Sequence, residues 1–294
     1  MDLTANSTSS GSKDRSALIV GSDKHLEEAL SSLLTLRGWS IRRAPDNQAA
    51  LSAARAQTLD LVVTGEKTSG VEDVELLRQV RAAHPHTRVI VLTDDSTSAD
   101  ALASMRAHAF SYFSQPFTVE AVADMVGIAM DQPCWDDGIE VLSATPELIS
   151  LLVRCDPPTA TRLLQFFHEI STLPEQEKEA VAFAFREMLL NAMQHGARFD
   201  PRQYVEVFYV RGRHMVACRV KDPGEGFTLD ELHHAAVSNP GDNPIRHVIY
   251  REAAGLPPGG YGILLARHMV DELIYGERGN DVLLVKYLDL PKAA

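Results

Sequence analysis

Short apolar runs separated by amphipathic stretches organise the first 130 residues. Residues 17–20, 61–63 and 89–92 are β-rich and apolar throughout, whereas residues 26–36 and 74–83 space their apolar positions as a helix does. Brief strands with no polar side, alternating with helices, predict a parallel, doubly wound sheet covered on both faces. Such sheets place their working residues at the carboxyl ends of the strands.

Past residue 130 the pattern changes. A proline, a glycine and paired acids break the chain over 131–138. Residues 139–142 and 148–153 then read as two strands joined by a short loop. A helix is predicted over about 159–170, and a second begins near Glu175, just after Pro174. Residues 204–210 and 214–220 alternate around Arg211-Gly-Arg213 as a hairpin, and 282–287 is the last strand. The expectation is a polar, disordered tail (1–15), a first α/β domain (16–130), a linker (131–138), and a second α/β domain (139–294) with helices over a mixed sheet. No internal repeat is visible.

The second helix carries chemistry that packing does not explain. Glu187, Asn191 and His195 are four residues apart, so one helical face presents a carboxylate, a carboxamide and an imidazole. Asparagine is a poor helix former, which points to a local use for Asn191. Directly after the second strand of the hairpin comes Asp222-Pro-Gly224-Glu-Gly226-Phe227, an acid followed by a backbone able to bend close to a flat ring. Pro257-Pro-Gly259-Gly260-Tyr261-Gly262 then opens onto an amphipathic helix, where free N–H groups and the helix dipole favour phosphate.

These three segments resemble the N, G1 and G2 boxes of the GHKL ATPase superfamily, and within it the anti-sigma-factor serine/threonine kinases. The resemblance covers the chain from about residue 139 onward and implies a Bergerat-type α/β sandwich that binds ATP and Mg²⁺. Carried over by position, it assigns Asn191 to Mg²⁺, Asp222 to the adenine amino group and Glu187 to the general base. Gly259, Gly260 and Gly262 fall in the phosphate loop, with His195, Gly224, Gly226, Phe227 and Tyr261 beside the nucleotide. Residues between Phe227 and Gly259 correspond to the ATP lid. His233 and His234 there are read as pointing apart on a helix, without the carboxylates or thiols of a metal site.

The first domain resembles a response-regulator receiver, through Asp60 to Thr64, Leu92-Thr93 and Tyr112 to Phe117. Its chemistry departs from that family. The first-strand exit, Gly21-Ser22-Asp23, keeps one carboxylate; the phosphoacceptor position is Gly65, with Glu66 projecting differently; the lysine position is Gln115; Thr93 alone matches its switch hydroxyl. Without a nucleophilic carboxylate no aspartyl phosphate forms, so a pseudo-receiver used for protein contact is expected.

Composition narrows the partners. A formal charge of −12 opposes attraction to a phosphate backbone, so no direct nucleic acid contact is expected. Cys134, Cys155 and Cys218 are too far apart for a metal knuckle and fit buried thiols in a reducing cytoplasm. No apolar run has the length of a signal or a membrane span. The expected activity is transfer of the ATP γ-phosphoryl to a protein partner, an anti-sigma antagonist, a sigma factor or another signalling protein, with a homodimer as a further partner. The alternative is a non-catalytic, nucleotide-dependent switch or scaffold. A third reading comes from His168 to Pro174, which resembles a histidine-kinase phosphoacceptor box. It is disfavoured because no helical hairpin fits between His168 and the Glu187 helix.

Overall fold

The computed structural model describes residues 15–65, 69–132, 136–228, 232–241 and 243–288. The expected tail (1–15) lies almost entirely outside these residues, as do Glu66 and Cys134. By packing, the chain divides into two compact units, Met1–Asp94 with Gln115–Trp135, and Asp95–Ser114 with Asp136–Ala294.

The N-terminal sheet comprises β1 (Ser16–Val20), β2 (Ser40–Ala44), β3 (Leu61–Val63), β4 (Arg88–Thr93) and β5 (Ser111–Ser114) in the order β2-β1-β3-β4-β5. Its registered pairs are parallel. Every residue of β1, β3 and β4 is buried, as expected of central strands with both faces covered, while β2 at the edge is mostly exposed. The helices are α1 (Lys24–Leu36), α2 (Asn47–Ala56), α3 (Gly70–Ala83), α4 (Ser98–Arg106) and α5 (Val119–Asp131). Side-chain caps begin several of them, including a reciprocal pair between Ser69 and Glu72 at α3. The doubly wound class is therefore as the pattern indicates. Strand β2, with two arginines in five residues, gives too weak an apolar signal to be singled out.

The C-terminal sheet contains β6 (Ile139–Ala144), β7 (Leu148–Arg154), β8 (Tyr204–Arg211), β9 (Met215–Lys221), β10 (Glu272–Tyr275) and β11 (Asp281–Tyr287), ordered β10-β11-β9-β8-β7-β6. Helices α6 (Pro157–Ile170), α7 (Glu175–Asn191), α8 (Arg246–Ala253) and α9 (Gly262–Met269) accompany it. The expected mixed sheet is corrected: all five of its strand pairings are antiparallel. The reason is topological. A single helix between neighbouring strands returns the chain for a parallel pairing, but α6 and α7 together cross twice, so β8 runs back along β7. Strict in-and-out alternation along β7, β8 and β9 shows that one face is covered. Phe166, Phe167 and Ile170 of α6, with Phe185, Met188 and Leu189 of α7, are buried with the inward residues Leu151, Val207 and Cys218.

Helix α6 starts on a side-chain cap, Asp156 Oδ1 accepting from the Thr159 N–H at 2.8 Å, with Pro157 where its missing N–H costs nothing. Helix α7 runs through Glu187 and ends at Asn191, after which Ala192–Gly196 forms a π-helical turn. His195 therefore does not continue the α-helical register of Glu187 and Asn191, although the wider turn keeps it on nearly the same side.

A cavity shared by three glycine-flanked segments

A cavity of about 1110 Å³ opens in the second unit, somewhat larger than the ~300–1,000 Å³ usual for small-molecule sites. Glu187, Asn191 and His195 line one wall. Asp222, Gly224, Gly226 and Phe227 line a second, and Gly259, Gly260 and Gly262 a third. Tyr261 alone among the candidates does not line it. Its ring packs edge-on against His247, centroids 4.5 Å apart.

Asp222 is fixed by the backbone around it. Its Oδ1 accepts the Gly224 N–H at 2.8 Å, and its own N–H donates to Asn280 O at 2.9 Å. The Asn280 carboxamide donates to the carbonyls of Asp222 and Gly224, both at 3.1 Å, tying this loop to the turn before β11. A Cβ on Gly196 would overlap the Asp222 carboxylate, so the last residue of the π-turn must be glycine for the acid to lie there. Burial raises the Asp222 pKa above the ordinary carboxylate range, and the Gly224 hydrogen bond partly offsets this.

Glu187 faces the start of α9. A Cβ on Gly262 would come 2.5 Å from Glu187 Oε2, so the carboxylate sits directly against the helix that the glycine loop opens. Arg186 Nη1 donates to Glu187 Oε1 at 3.2 Å. One turn further along α7, the half-buried Asn191 carboxamide has no hydrogen-bond partner among the described residues and faces the same cavity. Partial burial, then His234 and Arg251, hold the His195 pKa below its usual value, which favours the neutral ring.

The glycine loop is held from the lid side. Gly260 has φ 90°, and a side chain there would run into His234 O; its own carbonyl accepts the Ala236 N–H at 2.8 Å. Arg251 Nε donates to Pro257 O at 2.8 Å and Nη1 to His234 O at 3.2 Å, so one lid cation spans both margins of the loop. His233 and His234 lie in a turn instead of the expected helix. No group of three or more His, Cys, Asp or Glu side chains able to hold a metal occurs among the described residues.

Sequence reasoning missed Gly196, Arg251, Tyr275 and Asn280 as cavity residues. Tyr275 packs edge-on against Phe227 at 5.4 Å and donates to Met188 Sδ. Gly196 carried a signal, standing directly after His195. Asn280, in a turn 58 residues from Asp222, carried none.

In the first unit the described receiver-like positions are Asp23, Gly65, Thr93 and Gln115. Asp23 accepts from the N–H groups of His25 and Leu26 and caps α1, which lowers its pKa. At Gly65 a Cβ would stand 2.8 Å from Val20 O and 3.1 Å from Gly21 O, so the backbone leaving β1 occupies the place where an acceptor side chain would begin. Gln115 is exposed, and Thr93 is buried.

Comparison with known proteins finds two families along the chain. Residues 153–286 match the histidine kinase-like ATPase domain family, and residues 17–127 match the response regulator receiver domain family. The chain thus carries an ATPase domain of the histidine kinase-like class behind a receiver domain, and the ATPase match implies an ATP site. The chain is 31% identical over 105 residues to "Probable transcriptional regulatory protein TcrX" of Mycobacterium tuberculosis, covering 36% of this chain and 45% of that protein. It is 31% identical over 109 residues to "Response regulator protein FleR" of Pseudomonas aeruginosa, covering 37% and 23%. It therefore spans less than half the length of these curated relatives. Among solved structures, a CheY-like response regulator receiver domain protein from Methanospirillum hungatei is 20% identical, covering 40% of this chain and 94% of that one with a TM-score of 0.36. No helix among the described residues is long and apolar enough to cross a membrane.

Proposed function

We propose that this chain is an ATP-dependent signalling regulator whose second domain transfers the γ-phosphoryl of ATP to a serine or threonine hydroxyl of a protein partner, in the manner of the anti-sigma-factor kinases. The observation that carries this reading is the convergence of Glu187, Asn191, Asp222 and the glycine loop on one cavity. Asp222, braced by Gly196 and Gly224, accepts a hydrogen bond from the adenine amino group. The loop N–H groups ahead of α9 and the dipole of that helix hold the phosphates.

Asn191 suits a magnesium ion. Mg²⁺ is usually bound through one or two protein oxygens together with substrate phosphates and water, and the Asn191 carboxamide has an unused oxygen on the cavity wall. When bound, the ion neutralises charge on the transferring phosphoryl group. Glu187 accepts or orients the hydroxyl proton of the acceptor, beside the helix start that holds the phosphates. Most of the rate gain then comes from positioning.

Cytoplasmic protein partners such as a sigma factor or its antagonist regulators belong to this reading, and so does the receiver-like domain as a contact surface. The test is Glu187→Gln, assayed with labelled ATP and proteins captured from the cell of origin. Loss of serine or threonine labelling with nucleotide affinity retained supports the kinase. Retained partner regulation in the variant supports a non-catalytic switch, and label on His168 contradicts both.

A further inference from the structure

Helix α6 has a polar stripe that nucleotide chemistry does not use. Arg162, Gln165 and Glu169 lie three and four residues apart, on one face of this packing helix. All three engage residues 109–114, which belong to the same compact unit. Arg162 Nε donates to Phe110 O at 2.7 Å, and Nη2 donates to Ala109 O at 3.3 Å and to Asp137 Oδ1 at 2.7 Å. Gln165 Nε2 donates to Tyr112 O at 3.0 Å, and the Ser114 hydroxyl donates to Glu169. The Arg162 side chain is 1% exposed, with its guanidinium 4.6 Å from the centre of the Phe110 ring.

A buried cation joined to successive backbone carbonyls is a costly way to pack a helix if adhesion is all that is required. It does something that apolar contact does not: it fixes the register of the 109–114 backbone along α6. Two residues beyond Gln165 on that helix, Phe167 stacks on Phe185 of α7, centroids 4.6 Å apart and planes 24° from parallel. Glu187 follows Phe185 by two residues and Asn191 by six. The stripe, α6, the aromatic stack and the N-box helix are therefore one chain of direct contacts.

We propose that Arg162, Gln165 and Glu169 are positioning residues for the nucleotide site, coupling the conformation of residues 109–114 to the placement of α7 and hence of Glu187 and Asn191. The proposal rests on the ATP-binding reading above. It gives residues 109–114 a role that needs no phosphoryl group, since whatever shifts that backbone acts through α6 on the ATP site. Coupling of this kind is reciprocal: if β5 acts on the site, nucleotide acts on β5.

The test is hydrogen exchange on the full chain with and without Mg-ATP. The expected result is slower exchange in the three boxes together with about fivefold or greater slowing in residues 109–114. Gln165→Leu, which removes the hydrogen bonds from Nε2 to Tyr112 O and to Glu169 Oε1 and leaves the buried cation paired, should reduce the slowing at 109–114 and weaken ATP binding by the same factor. A variant that only loosened packing would speed exchange at 109–114 with and without nucleotide and leave the ATP affinity unchanged, which overturns the proposal. Protection confined to the boxes also overturns it while leaving the ATP reading intact. No protection anywhere overturns the ATP reading itself.

Discussion

Asp222 is an acid kept where ionisation is penalised, held by Gly196 on one side and the Gly224 N–H on the other. Its folded pKa lies above the unfolded value, so the native state binds this proton more tightly, and its contribution to stability falls as pH rises from the unfolded pKa through the folded one. Asp222→Asn should therefore raise the melting temperature of the nucleotide-free protein, and a lower one would contradict the assignment of a strained acceptor. Gly196→Ala should behave oppositely, forcing the carboxylate from its place and weakening nucleotide binding along with stability, as thermal melts with and without Mg-ATP will read. In the first unit, Gly65→Asp should fail to create a phosphorylatable receiver, because the Val20 and Gly21 carbonyls crowd the new Cβ. Incubation with a small phosphodonor and intact-mass measurement checks this, and a single phosphoryl adduct would contradict it.

At the scale of elements, Asn239 pins the first turn of α8. Asn239 Oδ1 accepts the His247 N–H at 2.9 Å, and its Nδ2 lies 2.7 Å from His247 Nδ1 and donates to Pro244 O at 2.6 Å. His247 is fully buried, so Asn239→Ala strands two of its polar groups at a cost of about 1–3 kcal/mol. Faster proteolysis within residues 232–258, with the sheet still protected, is the expected sign. Little of this was legible beforehand. The lid reads as a stretch of histidines, prolines and small residues, and its order comes from contacts that periodicity does not encode. Glu187, Asn191 and Asp222 were legible because each is a polar residue in a setting where packing gives it no role. The π-turn after Asn191 was not, since the sequence 187–196 has the same spacing under either helical geometry. Strand direction in the C-terminal sheet was hidden for another reason: alternation fixes which face a residue takes but not the direction of its neighbour.

At the scale of the molecule, an ATPase domain of the histidine kinase-like class follows a receiver domain. The fully buried Arg162 shows what composition leaves unread. One charge among 28 Lys and Arg has no distinguishing mark in the sequence, yet its guanidinium satisfies carbonyls 52 and 53 residues away. Removing its counter-charge with Asp137→Ala should destabilise the second unit by about 3 kcal/mol or more, measured by chemical denaturation.

The central claim is that Asn191, Asp222 and the Gly259–Gly262 loop form one Mg-ATP site, and calorimetric titration of the full chain with Mg-ATP tests it most directly. Saturable binding of one nucleotide per chain, lost in Asp222→Asn and made insensitive to magnesium in Asn191→Ala, is the predicted result. Binding that survives Asp222→Asn unchanged, or no binding by the folded wild-type chain, would contradict it.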